Sequence, residues 1–176
     1  MNEKTGRKSP LIGPHAAIVE AAAARIFPTT STPGATEAGV LNYVERLLTE
    51  AYPKLATQYR NGCRALDRHA KQRFGLGFRH IPESNQDAVL RDFEGGDVPS
   101  FKRAPEFFET LRRHTMEGML GEPAYGGNRE MIGWQLVGFP GHQFGYSDPY
   151  INRRVDMDPV ALDEPYPKER GRGTSR

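Results

Sequence analysis

Apolar residues recur at helical spacing through most of this chain, and five stretches carry the pattern. The first runs from Pro14 to Phe27, with Ile18, Ala22 and Ile26 along one face, Pro14 suited to a first turn and Pro28 ending it. Ser31-Thr32-Pro33-Gly34 reads as a turn. After it, Val40, Val44, Leu47, Leu48 and Ala51 predict a second helix from about Ala35 to Glu50, its stripe broadened by Tyr43. Following Pro53, the residues Leu55, Tyr59, Cys63, Leu66 and Ala70 repeat every three or four positions until Gly75-Leu76-Gly77 stops them, which predicts the longest helix. Ser84 and Asp87 resemble a capping arrangement for a short helix through Phe93, closed by Gly95-Gly96, with Val89, Leu90 and Phe93 inward. A fifth helix starts near Ala104 or Pro105. It carries Phe107, Phe108, Leu111, Thr115 and Met119 inward and Arg112 and Arg113 outward, and Gly118 and Gly121 are expected to fray it. No stretch alternates with the period of a strand, so the expected fold is all-α: a compact bundle of about five helices joined by short loops.

The pattern then changes. Glu122-Pro123-Ala124-Tyr125-Gly126-Gly127-Asn128 is followed by Gly133-Trp134 and Gly138-Phe139-Pro140-Gly141, which together hold the only Trp and a cluster of the glycines. Glycine can turn the backbone or let another chain come close, while Tyr125, Trp134 and Phe139 supply large surface. The residues read both as a tight turn, with Asn128 left-handed or capping the next segment, and as a shaped docking surface. Beyond Gly141 the periodicity disappears. Residues 1–13 are expected to be flexible, 14–144 to form the helical domain, and 145–176 to form either a free tail or an extended arm that wraps a partner through side chains such as Tyr146, Tyr150 and Ile151.

Composition narrows the function classes. A chain of 176 residues fits one domain with one core. Its hydrophobic share of 37%, with 14 prolines and 19 glycines, suggests long loops that lean on a partner. The formal charge of +2, with basic residues dispersed except at the ends, makes no case for a nucleic-acid binder. Cys63 stands alone, forms no internal disulfide, and reads as a small buried apolar residue. No apolar run approaches the ~20 residues of a membrane span. The polar first residues do not read as a signal peptide.

Candidate chemistry is sparse. None of the five histidines, His15, His69, His80, His114 and His142, has paired ligand spacing, and His69 and His114 fall on predicted helices. Glu106, Glu109, Glu117, Glu122 and Asp92 read as a solvated face, and Gly75-Leu76-Gly77 as a helix stop in place of a phosphate cradle. No residue is nominated as catalytic, cofactor-binding or metal-ligating. The alternative left open is a small stand-alone hydrolase or isomerase using His142 or His80 in a glycine-lined cleft.

Arg25-Ile26-Phe27-Pro28, Pro33-Gly34-Ala35-Thr36-Glu37-Ala38-Gly39-Val40, Thr115-Met116-Glu117-Gly118 and the glycine-rich stretch occur in a telling order. The series resembles the gluconate 2-dehydrogenase subunit 3 family from about Ala17 to Gly141, most specifically from Pro123 onward. The resemblance implies a small subunit without cofactor or catalysis of its own. Its partner would be a large FAD-containing dehydrogenase of the glucose-methanol-choline type, which oxidises sugars, sugar acids or other alcohols, with a cytochrome c subunit as an optional further partner. It also implies a role in stabilising, maturing or escorting that partner; a secretion chaperone that leaves the mature complex is the variant reading. On this view the partner-binding residues are Tyr125, Gly126, Gly127, Asn128, Trp134, Phe139, Pro140 and His142, the last within approach of the partner's flavin. Many members carry a twin-arginine leader, and this sequence has no such pair near its start. The expected location is cytoplasmic for the chain as written, and periplasmic if a leader has been removed or a partner carries the signal.

Overall fold

The structure is a computed structural model and describes residues 10, 11, 13–141 and 159. Six α-helices are present and no strand occurs among the described residues: α1 (Pro14–Ile26), α2 (Val40–Arg46), α3 (Leu55–Phe74), α4 (Glu83–Gly95), α5 (Ala104–Leu120) and α6 (Ile132–Val137). The all-α expectation therefore holds, with one helix more than the pattern predicts. The arm expected over 145–176, apart from residue 159, and nearly all of the N-terminal segment lie outside the described residues. Leu11 is described, and it is buried in the core.

α5 is the hub of the bundle, touching each of the other five helices. Its inner face buries Phe107, Leu111, Thr115 and Met119, as the spacing predicts, while Phe108 is half-buried. Tyr59 and Cys63 of α3, Val89 and Phe93 of α4, and Val40 and Val44 of α2 close around it. Each large side chain buried here contributes about 1.5–3 kcal/mol, which accounts for the tight core of a chain with modest hydrophobic content. Phe93 and Tyr59 meet the Phe107 ring edge to face, at 6.3 and 5.7 Å between centroids.

Three expectations about helix ends change. α2 begins at Val40 and not near Ala35, because Gly39 adopts a left-handed φ of 72° and the residues before it form turns. Glu37 organises those turns, accepting from the Gly34 amide at 2.9 Å and from the Thr29 hydroxyl at 2.7 Å. The cap expected from Ser84 and Asp87 is not made: Pro82 is the N-cap of α4, and Asp87 instead accepts from Arg25 of α1 at 2.7 Å. Finally, α5 does not fray at Gly118. That glycine is buried within the last turn of the helix, and a Cβ there would stand 3.2 Å from Tyr43 and Val40 side chains, so its absence lets α2 close on α5.

α2 runs on into one wide π turn, Leu47–Ala51, sealed by the Tyr52 amide donating to the Leu47 carbonyl at 2.7 Å. Three short 3-10 segments complete the described residues: Phe78–His80 before α4, and Pro123–Tyr125 and Arg129–Met131 between α5 and α6.

Candidate functional site

α5 ends at Leu120, and its last carbonyls have no partner within the helix. The stretch that follows folds back to supply donors. The Asn128 amide donates to the Gly118 carbonyl at 2.7 Å, its side-chain amide donates to the Gly121 carbonyl at 2.8 Å, and its side-chain oxygen accepts from the Gly133 amide at 2.8 Å. The Trp134 indole N–H donates to the Leu120 carbonyl at 2.7 Å. Asn128 is fully buried and Trp134 is 3% exposed. Both therefore hold the domain's own end together.

The glycines serve the same seam. A Cβ at Gly127 would lie 2.3 Å from the Gly118 carbonyl oxygen, and one at Gly133 would lie 1.8 Å from that of Met119. The backbone runs against α5 with no room for a side chain. These glycines are consequently committed to a helix contact and do not fit a cradle for the pyrophosphate of a dinucleotide. Such closeness carries a conformational cost: Asn128, Glu130 and Met131 all take positive φ, which for residues with a Cβ costs about 1–2 kcal/mol each.

The other side of the stretch faces out. Tyr125 closes the 3-10 turn Pro123–Tyr125 and is 60% exposed, beside Tyr52 at 58%. Together with Tyr43, Arg46, Leu47 and Ala51 they line a groove of about 430 Å³. Arg46 fixes its geometry by donating to the Ala124 carbonyl and, at 2.9 Å, to Glu50. The Tyr43 hydroxyl donates to Glu117 at 2.8 Å, and burial, then that carboxylate, hold the phenol protonated far above its usual range. Leu136, Val137 and Phe139 form a second exposed apolar group on α6 and its exit, with Phe139 edge-on to Trp134 at 5.1 Å. Among the described residues, five of the six exposed large apolar side chains belong to these two groups, Leu76 being the other.

The eight residues nominated from sequence are thus divided. Gly127, Asn128 and Trp134 are buried, Tyr125 and Phe139 are exposed, Gly126 and Pro140 are half-buried, and His142 lies outside the described residues. Sequence reasoning missed the groove's other wall. Tyr43 registers in the periodicity only as a broader apolar stripe, and Tyr52 reaches the surface through a π turn that no residue pattern announces.

The remaining titratable groups have structural partners. His114 and Tyr59 are buried and share a 2.8 Å hydrogen bond, and burial lowers the imidazole's pKa. His69 bonds to Asp92 at 2.7 Å, tying α3 to α4. His80 is exposed and accepts from Arg79 at 2.9 Å, in a small cleft lined by Asp67 and Gly77. Asp67 is occupied by Lys71 at 2.6 Å and the Phe78 amide at 3.2 Å, so it does not orient His80 as a base. Burial pushes the Cys63 thiol up to about 12, which leaves it protonated and unreactive. Among the described residues no group of three or more His, Cys, Asp or Glu could hold a metal ion, and no helix is long and apolar enough to cross a membrane.

Comparison with known proteins agrees with the order of the glycine-rich motifs. No curated protein and no solved structure matches the chain. The family model of gluconate 2-dehydrogenase subunit 3 matches residues 14–141, from the first residue of α1 to Gly141. The chain belongs to the gluconate 2-dehydrogenase subunit 3 family.

Proposed function

We propose that this chain is a non-catalytic accessory subunit that stabilises or matures an FAD-dependent dehydrogenase of the glucose-methanol-choline type. The large partner carries the flavin and the hydride transfer, oxidising a sugar, a sugar acid or another alcohol. The observation that carries the reading is the placement of exposed apolar surface: the tyrosine groove and the Phe139 ledge both adjoin the C-terminal end of α5, within the family's matched region. Aromatic and arginine side chains of this kind dominate binding at protein interfaces, and an isolated domain gains nothing by exposing them. Tyr43, Arg46, Tyr52, Tyr125 and Phe139 are the contact residues in this reading; His142 keeps its place as a contact near the partner's flavin.

Co-expression with the candidate flavoprotein tests it. The tagged chain is expected to recover the flavoprotein in stoichiometric amount, seen as flavin absorbance, and to show no turnover by itself. The double variant Tyr52→Ala/Tyr125→Ala should lower recovered flavin about tenfold or more while leaving the melting curve of the isolated chain unchanged. A chain that elutes alone overturns the assignment, and loss of the partner from the mature enzyme converts it to a secretion chaperone.

A further inference from the structure

Basic residues look dispersed along the sequence, but winding into α3 gathers them. Arg60, Arg64 and Arg68 stand four positions apart, so they share one face at steps of about 6 Å. Like charges at this spacing disfavour a helix. The one acidic residue close to them on the helix, Asp67, is committed to Lys71 and to the Phe78 amide. Among the described residues neither Arg64 nor Arg68 has a carboxylate within ion-pair reach, whereas Arg25, Arg103 and Arg112 each hold one.

Arg64 and Arg68 also border a cavity. Arg64, Arg68, Gln72 and the paired Asp67 and Lys71 form one wall of an open cleft of about 550 Å³ between α3 and the start of α1, where Pro14, His15 and Ile18 form the other. His15 Nδ1 is the single buried side-chain nitrogen or oxygen among the described residues that lacks a hydrogen-bond partner. Burial and then the charges of Arg64 and Arg60 lower the His15 pKa, in keeping with the arginines beside it.

We infer that the cleft between α1 and α3 binds an extended acidic segment of a partner polypeptide, with alternate carboxylates seated on Arg64 and Arg68. Alternate side chains of an extended strand recur at about 6.7 Å, close to the step between successive arginines of the helix. The guanidinium fork takes a carboxylate in two parallel hydrogen bonds. A lipid surface is the poorer occupant, because an interfacial helix needs an apolar face beside its charges and that of α3 is buried in the core. Nucleic acid is poorer too: the cleft lining includes no Phe, Tyr or Trp on which a base could stack. The inference rests on the reading of the chain as a subunit of a complex, and it adds a second contact away from the tyrosine groove.

The probe is a fluorescent peptide of alternating Asp and Val, about eight residues long, with an Asn-Val peptide as its neutral match. Anisotropy at low salt should show binding of the acidic peptide alone. Arg64→Gln/Arg68→Gln should weaken it about tenfold, whereas Arg91→Gln/Lys102→Gln, which removes the same charge elsewhere, should weaken it less than about twofold. Arg68→Gln alone, expected to lose about threefold, covers the case in which the double variant does not fold. Equal losses in the two double variants overturn the inference, as does tighter binding to anionic vesicles or to a single-stranded oligonucleotide than to the peptide. The two proposals fail separately. Flavoprotein recovery by a chain that ignores the peptide overturns this inference alone, and peptide binding by a chain that recovers no flavoprotein overturns the dehydrogenase assignment alone.

Discussion

Trp134 and Tyr125 belong to one glycine-rich stretch, yet Trp134 is sealed against α5 with its N–H on the Leu120 carbonyl while Tyr125 stands over an open groove. The inner half is organised by unmet hydrogen bonds. A helix end leaves carbonyls without donors, and Asn128, Gly133 and Trp134 are placed where those carbonyls or their neighbours need them. No such internal demand shapes the outer half, where Tyr52, Tyr125 and Phe139 are exposed at a cost in solvation that the isolated chain does not recover. On the proposed function a single motif is required twice over, once by the fold and once by an interface, and mutations separate the two demands.

The sharpest separation comes at Gly133. Any side chain there meets the Met119 carbonyl, so Gly133→Ala should cost about 3 kcal/mol or more, read as a lower urea midpoint with an unchanged slope. A variant as stable as the parent would mean that the seam between α5 and α6 is loose. Trp134→Phe keeps most of the buried ring and removes the donor to Leu120, with an expected loss of about 1–2 kcal/mol in the same measurement. Asn128, with three partners on both sides of the turn, should tolerate neither Ala nor Asp.

The pH dependence is smaller and comes from the core. Burial lowers the pKa of His114 in the folded state, so the unfolded chain binds the proton more readily. The stability this represents is complete above about pH 6.5, the unfolded value, and is lost as pH falls through the folded one. His15 adds to the slope in the same direction. Unfolding midpoints taken at neutral and mildly acidic pH should show the decline, and His114→Gln should flatten it. Smallest of all, Tyr52→Ala and Tyr125→Ala should shift the midpoint of the isolated chain by less than about 0.5 kcal/mol each, since both side chains are largely exposed. A large loss at either would move that tyrosine into the inner half.

The long helices are legible because α1, α3, α4 and α5 each bury one face over several turns, which is the condition for a 3.6-residue period to show. α6 is not. It has six residues, a glycine at its second position and another at its end, and it is held by Trp134 and by the approach of Gly133 to Met119, none of which is local. Gly118 misleads for a related reason: a glycine in a helix signals a weak point when only local propensity is weighed, and here it admits a neighbouring helix. The glycine-rich stretch is legible as a change of pattern but not in its orientation, since the letters Asn128 and Trp134 do not say whether they face a partner chain or a carbonyl of their own. The arginine cleft is invisible to a count of charge along the chain, because only winding around the helix gathers it.

The wide turn at Leu47–Ala51 holds one residue more than an α-helical turn would. That extra residue sets the phase of everything leaving α2, since each residue turns a helix by about 100°. Deleting Thr49 would return the segment to regular winding and swing Tyr52 away from Tyr125, erasing one wall of the groove without changing a single side chain that lines it. Length at this point of the chain, as much as residue identity, is then what a relative must preserve to keep the groove.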